Sequence, residues 1–434
     1  MATKVVLHLL ALAAPLTASM AFGVMGEDSR LIIAALWFGL SGLTVLSLQF
    51  VLASRSRWIE RGVGLDTVFR FHRAMAICAV MLLAAHPVLV AAAHGGWSLL
   101  TSFNQSPRIL VGKLSLMLLV CLALTSLYRL TLRISFERWR AGHNLLAVAA
   151  LLLGCAHASF VGQVREAPAF RIVPLTLLAV AACAYVYTKL IAPSRAAGSP
   201  HVVLDVTPET ENVTTLRLAP TRRAIVRHVP GQFAFIRFLR GSAVPSEEHP
   251  FTISSAPLES GVLSFTIKNS GDFTATVRQA RKGDLVAVQG PFGVFSSAMR
   301  PSENDLVFIA GGIGITPLMS MIRAMRAASS DVKALLVYGN ETEGDIVFRK
   351  ELDDIASSGG LGLRVVHVLN KPDDGWQGDR GHVSRDLILR ECGANLAGKS
   401  FYVCGPAAMM NHVRRILQSL GVPRRNIHWE RFSL

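Results

Sequence analysis

The spacing of apolar runs constrains this chain most. Six segments, at 5–25, 31–53, 68–94, 108–129, 142–162 and 170–192, are dominated by Leu, Ala, Val and other apolar residues. A hydrocarbon layer about 30 Å thick takes roughly 20 helical residues to cross, so each run is long enough to span it. Within lipid a helix satisfies every backbone donor and acceptor internally. Residues 1–195 are therefore expected to form a six-helix transmembrane domain. Residues 200–434 have the mixed texture of soluble domains. Overall 51% of residues are hydrophobic and 17% charged, below the roughly 25% charged content of soluble proteins.

The formal net charge of +15 is distributed as in a membrane protein. Arg55, Arg57 and Arg61 fill one loop, and Arg129, Arg133, Arg138 and Arg140 another. Lys189 and Arg195 follow the last run. The alternate loops are poorer in positive charge. This pattern predicts an integral protein of a bacterial-type inner or plasma membrane, with soluble domains and both termini in the cytoplasm. No basic stripe interleaved with aromatics is present, so nucleic acid is not an expected partner. The first run (Met1–Met25) resembles a signal peptide, but the spans that follow favour a retained helix. The six cysteines contain no C-x-x-C pair, which argues against a disulfide framework, a zinc site or an iron–sulfur cluster.

Polar rings inside such runs are costly and point to function. His72 and His86 are 14 residues apart in the third run, and His143 and His157 are 14 apart in the fifth. Fourteen residues return to within about 40° of one helix face and rise about 21 Å. Both runs leave the cytoplasmic side, so His72 matches His143 in depth and His86 matches His157. Two stacked bis-histidine sites result, and b-type haem iron is their natural occupant. His8 and His94 lack such partners. Arg70, Arg73 and Arg140 lie near the inner pair, where they serve haem propionates or simply the positive-inside bias.

"APSRAAGSPH" (192–201) reads as a linker. Beyond it, six short β-rich runs with turn signals predict an antiparallel barrel over 201–300. From residue 301, buried strands alternate with helical stretches and predict a parallel, Rossmann-like α/β domain to 434. In "HPFTISSAP", Phe251 and Thr252 offer an aromatic wall and a hydroxyl suited to a flavin. "NSGDFTATV" offers a glycine turn opening a short helix, suited to a pyrophosphate. In "VFIAGGIGITPLMSMI", a strand runs into Gly311, Gly312 and Gly314. Thr316 then precedes Pro317, expected at the first helical position. "YVCGPAAMM" is a second strand-to-helix turn carrying Cys404, Gly405 and Pro406.

The order "PGQF", "HPFTISSAP", "GDFT", "GPFG", "GGIGITP", "CGP" resembles the ferredoxin–NADP reductase family. "HPFT" and the paired histidines resemble its NADPH-oxidase and ferric-reductase branch, over nearly the whole chain. The resemblance implies a multi-domain membrane protein with a di-haem bundle, an FAD-binding barrel and a nucleotide domain. It implies Phe251 and Thr252 at the isoalloxazine, His249 with Pro250 near the FAD phosphates, and Gly271 and Thr274 at the pyrophosphate. Gly311, Gly312, Gly314, Thr316 and Pro317 would meet the nicotinamide nucleotide, with Cys404, Gly405 and Pro406 near the nicotinamide. Phe432 matches the family's C-terminal aromatic that covers the flavin.

The implied activity moves electrons from cytoplasmic NAD(P)H via FAD and two b haems to an acceptor outside. Oxygen giving superoxide is the first expectation and a ferric chelate the alternative. A membrane-anchored flavin reductase serving a cytoplasmic protein is a further alternative; no obligatory protein partner is expected. Glu341, after a nucleotide-domain strand, tilts the donor towards NADH, although Arg349 stands close by in sequence.

Overall fold

The computed structural model describes residues 30–60, 63–160, 171–221, 226–257, 261–329, 332–359, 361–393 and 395–430. The first apolar run, Arg61 and Phe432 lie outside them. The chain divides into two compact units. One comprises Thr67–Ile191 and the residues before Glu60, and the other Glu60–Asp66 with Ala192–Leu434.

The first unit contains α1 (Arg30–Leu52), α2 (Leu65–His94), α3 (Pro107–Leu127), α4 (Phe136–Phe160) and α5 (Ile172–Val186). All five are long and apolar enough to cross a membrane, α5 by continuing as helix to Gly198. Their interior is small: Leu43, Leu46, Ala79, Leu119, Ala150, Leu151, Cys155 and Ala181 form the buried cluster. Met81, Met117, Leu145 and Leu175 point outward and are exposed. An apolar exterior around a small interior suits a lipid solvent, in which apolar surface has no reason to hide.

Two boundaries differ from expectation. The helix expected from 142 begins at Phe136, because "SFERWR" continues the turn into the basic loop. Residues 192–198, expected as a linker, are helical. Pro193 removes one backbone donor and crowds the carbonyl four residues back. The stretch Tyr187–Ile191 widens into a π-helical turn just before it, the kind of bulge that absorbs such a conflict.

In the second unit, β1 (His201–Thr210), β2 (Val213–Pro220), β3 (Phe233–Phe238), β4 (Glu248–Thr252), β5 (Leu263–Lys268) and β6 (Leu285–Phe292) form one antiparallel sheet in the order β4-β3-β6-β1-β2-β5. A bridge from Ile253 to Phe265 joins its two edges. Alternate residues Ala234, Ile236 and Phe238 of β3 enter the core with Leu216, Leu218, Phe265 and Val286, as the period of two demands.

The remainder builds a parallel sheet from β7 (Asp305–Gly311), β8 (Lys333–Asn340), β9 (Leu363–Leu369), β10 (Asp379–Arg380), β11 (Ser400–Cys404) and β12 (Ile427–Glu430), ordered β10-β9-β8-β7-β11-β12. Leu306, Phe308 and Ala310 face a core shared with α6 (Ile315–Ala327) and α7 (Arg349–Ser357). Val307 and Ile309 face the opposite core, with α8 (Arg385–Cys392) and α9 (Ala407–Ser419). Helices thus cover both faces. The strand order reverses at β7, between β8 and β11, and ligands of such sheets bind outside the carboxyl ends at that point.

Candidate functional site

In the apolar unit, the four histidines meet in pairs. Ring centroids of His72 and His143 are 6.4 Å apart, and those of His86 and His157 are 6.3 Å apart. Two imidazoles with centroids this far apart leave room for one metal ion between ring nitrogens turned towards it. Among the described residues, no group of three or more His, Cys, Asp and Glu is placed to hold a metal. Each pair brings two imidazoles together. His94 stands apart, exposed, with its Nδ1 near the Val90 carbonyl at 3.0 Å.

Hydrogen bonds fix the tautomers. His86 Nδ1–H donates to the Ala35 carbonyl at 2.8 Å, and His157 Nδ1–H to the Arg108 carbonyl at 2.9 Å. A carbonyl only accepts, so in each ring Nε2 keeps its lone pair, the form that ligates metal. His143 follows by the same accounting. The Ser126 hydroxyl donates to the Leu122 carbonyl and receives the Trp139 indole N–H. Its 3.2 Å contact with His143 Nδ1 must then be donated by the imidazole.

Two glycines make room for the His86–His157 pair. A Cβ at Gly39 would stand 2.9 Å from His86 Nδ1, and one at Gly112 would stand 2.5 Å from His157 Nδ1. Each glycine lies one helical turn after the carbonyl its histidine uses. The sequence reading missed Gly39, Gly112 and Ser126, since their contacts join different helices; small residues at helix contacts were the available signal.

In the antiparallel sheet, Thr252 is buried at the end of β4 and Phe251 is half-buried beside it. The His249 ring stacks on Phe273 at 4.0 Å, with Phe251 6.2 Å from the same ring. His249 Nε2 also meets a Glu247 carboxylate oxygen at 3.1 Å. His249, Phe251 and Phe273 thus group aromatic rings that fit a ring system such as isoalloxazine, while Pro250, between them in the strand, lies on the other face of the sheet. Gly271 opens the short helix Asp272–Thr276. Space beside it is open, which admits a phosphate to the backbone. The Thr274 hydroxyl accepts from Ser270 N–H and donates to the Gly271 carbonyl, closing the turn.

In the parallel sheet, the two turns at the switch point press together. A Cβ on Gly314 would meet the Cys404 carbonyl oxygen at 2.4 Å, and one on Gly405 would meet Gly311 Cα at 3.0 Å. Gly312 takes a positive φ of 51° with open space beside it. Thr316 is buried, its hydroxyl on the Ile313 carbonyl at 3.0 Å. The helix starts at Ile315, so Pro317 is its third residue and not its first. Its missing N–H still falls in the first turn, where no intrahelical partner exists. Pro406 caps α9. This glycine-lined edge fits a dinucleotide phosphate.

Cys404 is fully buried, and burial pushes its thiol well above the ordinary range. It packs in the core, an environment that suits an inert thiol and not a thiolate nucleophile. Beside it in the sheet lies Glu430, which the sequence reading passed over. Its side chain is 7% exposed, and among the described residues Oε2 has no hydrogen-bond partner. Burial, and then the charges of Asp66 and Glu60, push its carboxyl well above the ordinary carboxylate range.

Comparison with known proteins covers three successive regions. Residues 38–154 match the ferric reductase like transmembrane component. Residues 200–296 match an FAD-binding domain, and 308–415 the oxidoreductase NAD-binding domain. NADH-cytochrome b5 reductase 1 of Kluyveromyces lactis is 33% identical over 153 residues, 35% of this chain and 54% of the relative. The nitrate reductase [NADPH] of Emericella nidulans is 31% identical over 171 residues, 37% of this chain and 20% of that one. The chain thus spans little more than half the length of such curated relatives, or less. The flavohemoglobin of Malassezia yamatoensis matches in structure with a TM-score of 0.50 at 17% identity, over 93% of this chain and 96% of its own; this likeness concerns fold alone. A ferric-reductase transmembrane component followed by FAD- and NAD-binding modules is the domain architecture of the NADPH oxidase and ferric reductase family, and this chain has it.

Proposed function

We propose that the protein is a transmembrane flavocytochrome b. It takes electrons from NAD(P)H on the cytoplasmic side and delivers them, by way of FAD and two b haems, to an acceptor on the far side, with oxygen giving superoxide as the leading acceptor. The three domains are read as 1–195, 201–300 (its sheet closed into a barrel by the Ile253–Phe265 bridge) and 301–434. The pairing of His72 with His143 and His86 with His157 carries this reading. An anchor for a soluble flavin reductase needs one helix and no matched imidazoles.

When bound, FAD supplies the exchange between a two-electron donor and one-electron carriers, and the haems supply those carriers. The protein's part is placement. His86, His143 and His157 present Nε2 lone pairs, their Nδ1–H committed to fixed acceptors, and His72 faces His143. Phe251, Thr252 and His249 form the flavin wall, and Gly271 and Thr274 the phosphate turn. Gly311, Gly312, Gly314, Thr316, Pro317, Gly405 and Pro406 shape the nucleotide edge. Cys404 packs in the core behind this edge, Glu430 lies beside it in the sheet, and Phe432 is assigned as the flavin cover from its sequence position.

A second reading, ferric-chelate reduction by the same path, draws on the family description of residues 38–154. A reduced-minus-oxidised spectrum of the purified protein tests the common core. A b-type haem band is expected, and its absence would overturn both readings. Dye reduction sensitive to superoxide dismutase then supports oxygen as acceptor. Insensitive dye reduction with fast ferric turnover supports the ferric chelate.

A further inference from the structure

We infer that the nucleotide edge selects NADH over NADPH through the carboxylates of Glu341 and Glu343. The inference rests on the reading of 301–434 as the nicotinamide-nucleotide domain and names its substrate.

β8 lies beside β7, with Gly339 opposite Gly311. The Tyr338 hydroxyl donates to the Gly312 carbonyl at 3.2 Å, tying the two strand ends together. A dinucleotide whose phosphates sit at the β7 turn lays its adenosine ribose over the end of the next strand. That end is the segment Glu341–Asp345, "ETEGD", with three carboxylates in five residues. A free 2′-hydroxyl can donate to a carboxylate there. A 2′-phosphate, of charge about −1.5 to −2 at neutral pH, would be repelled.

Two cations beside these carboxylates are already engaged. Arg349 pairs with Glu343, lies 3.9 Å from an Asp353 carboxylate oxygen and covers the Trp376 ring at 5.8 Å. Lys371 Nζ stands 3.4 Å from Glu341. Asn370, at the end of the neighbouring β9, holds the same carboxylate at 3.2 Å. This hydrogen bond, and then Lys371, keep Glu341 below the ordinary carboxylate range, so it is ionised at neutral pH. Asp345 caps its own turn through Thr342. The network sets four carboxylates against two cations, and a phosphate would have to pull Arg349 from two partners or Lys371 from one.

Titration calorimetry of the full chain in detergent, with ADP-ribose and with 2′-phospho-ADP-ribose, tests this without turnover. ADP-ribose should bind about tenfold tighter or more. The double variant Glu341→Gln, Glu343→Gln should narrow that ratio at least about fivefold. The NADPH-to-NADH ratio of KM in a ferricyanide assay should move the same way. Equal or tighter binding of the 2′-phospho compound, or its selective loss in Arg349→Ala, would overturn the inference while leaving the nucleotide domain intact. Failure of both compounds to bind would overturn the domain reading and the preference with it.

Discussion

His86 and His157 face each other across 6.3 Å, and each gives its Nδ1–H to a backbone carbonyl on a third or fourth helix. Neither the ligand helices nor their partners could shift alone without breaking that arrangement. The outer site is thus held by four helices, with α1 and α3 acting through Ala35 and Arg108.

Gly112 should therefore control the outer site. In Gly112→Val the new Cβ would stand 2.5 Å from His157 Nδ1. The helix backbone is the stiffer partner, so the imidazole must swing away. Haem content measured as the pyridine haemochrome should fall by about half, since one of two bis-histidine sites loses a ligand. Gly39→Val should do the same through His86. Full haem content in both variants would contradict the seating role.

The switch-point turns make a second prediction. In Gly314→Ala the methyl would meet backbone atoms of Cys404 and Gly405, which cannot rotate out of the way. Overpacking of this kind costs about 1–3 kcal/mol. The melting temperature should drop, and the KM for the nicotinamide nucleotide should rise with kcat changed less. Wild-type stability and KM together would contradict the packing argument.

His201 makes a prediction about acid. It is 1% exposed, neither ring nitrogen has a partner among the described residues, and burial lowers it to about 4. The unfolded chain, titrating near 6.5, binds the proton more readily than the folded one. Stability is then complete above about pH 6.5 and is lost as pH falls towards 4, by at most roughly 3 kcal/mol from this group. Thermal melts of the full chain between pH 7.5 and 4.5 should show that decline. His201→Leu should flatten it and raise stability near pH 5, because an apolar side chain forfeits no hydrogen bond there.

The sequence was most readable where a period does the work. Spacing alone paired the four histidines and marked the short strands of the antiparallel sheet, because those patterns are local. Apolar length located the five described spans. What it could not carry were contacts between distant segments. Ser126 and Gly39 look ordinary until another helix brings an imidazole to them, and Glu430 looks like a tail residue until β12 pairs with β11. The stretch "APSRAAG" has loop composition but becomes helix because α5 feeds directly into it and a π-turn relieves its proline.

Haem stoichiometry in single histidine variants tests the central claim most directly. The purified wild-type chain should carry two b haems. His72→Ala or His143→Ala should retain only the outer one, and His86→Ala or His157→Ala only the inner one, with separate midpoint potentials. Two haems surviving in any of these variants, or none in the wild-type chain, would contradict the assignment of these residues as paired ligands.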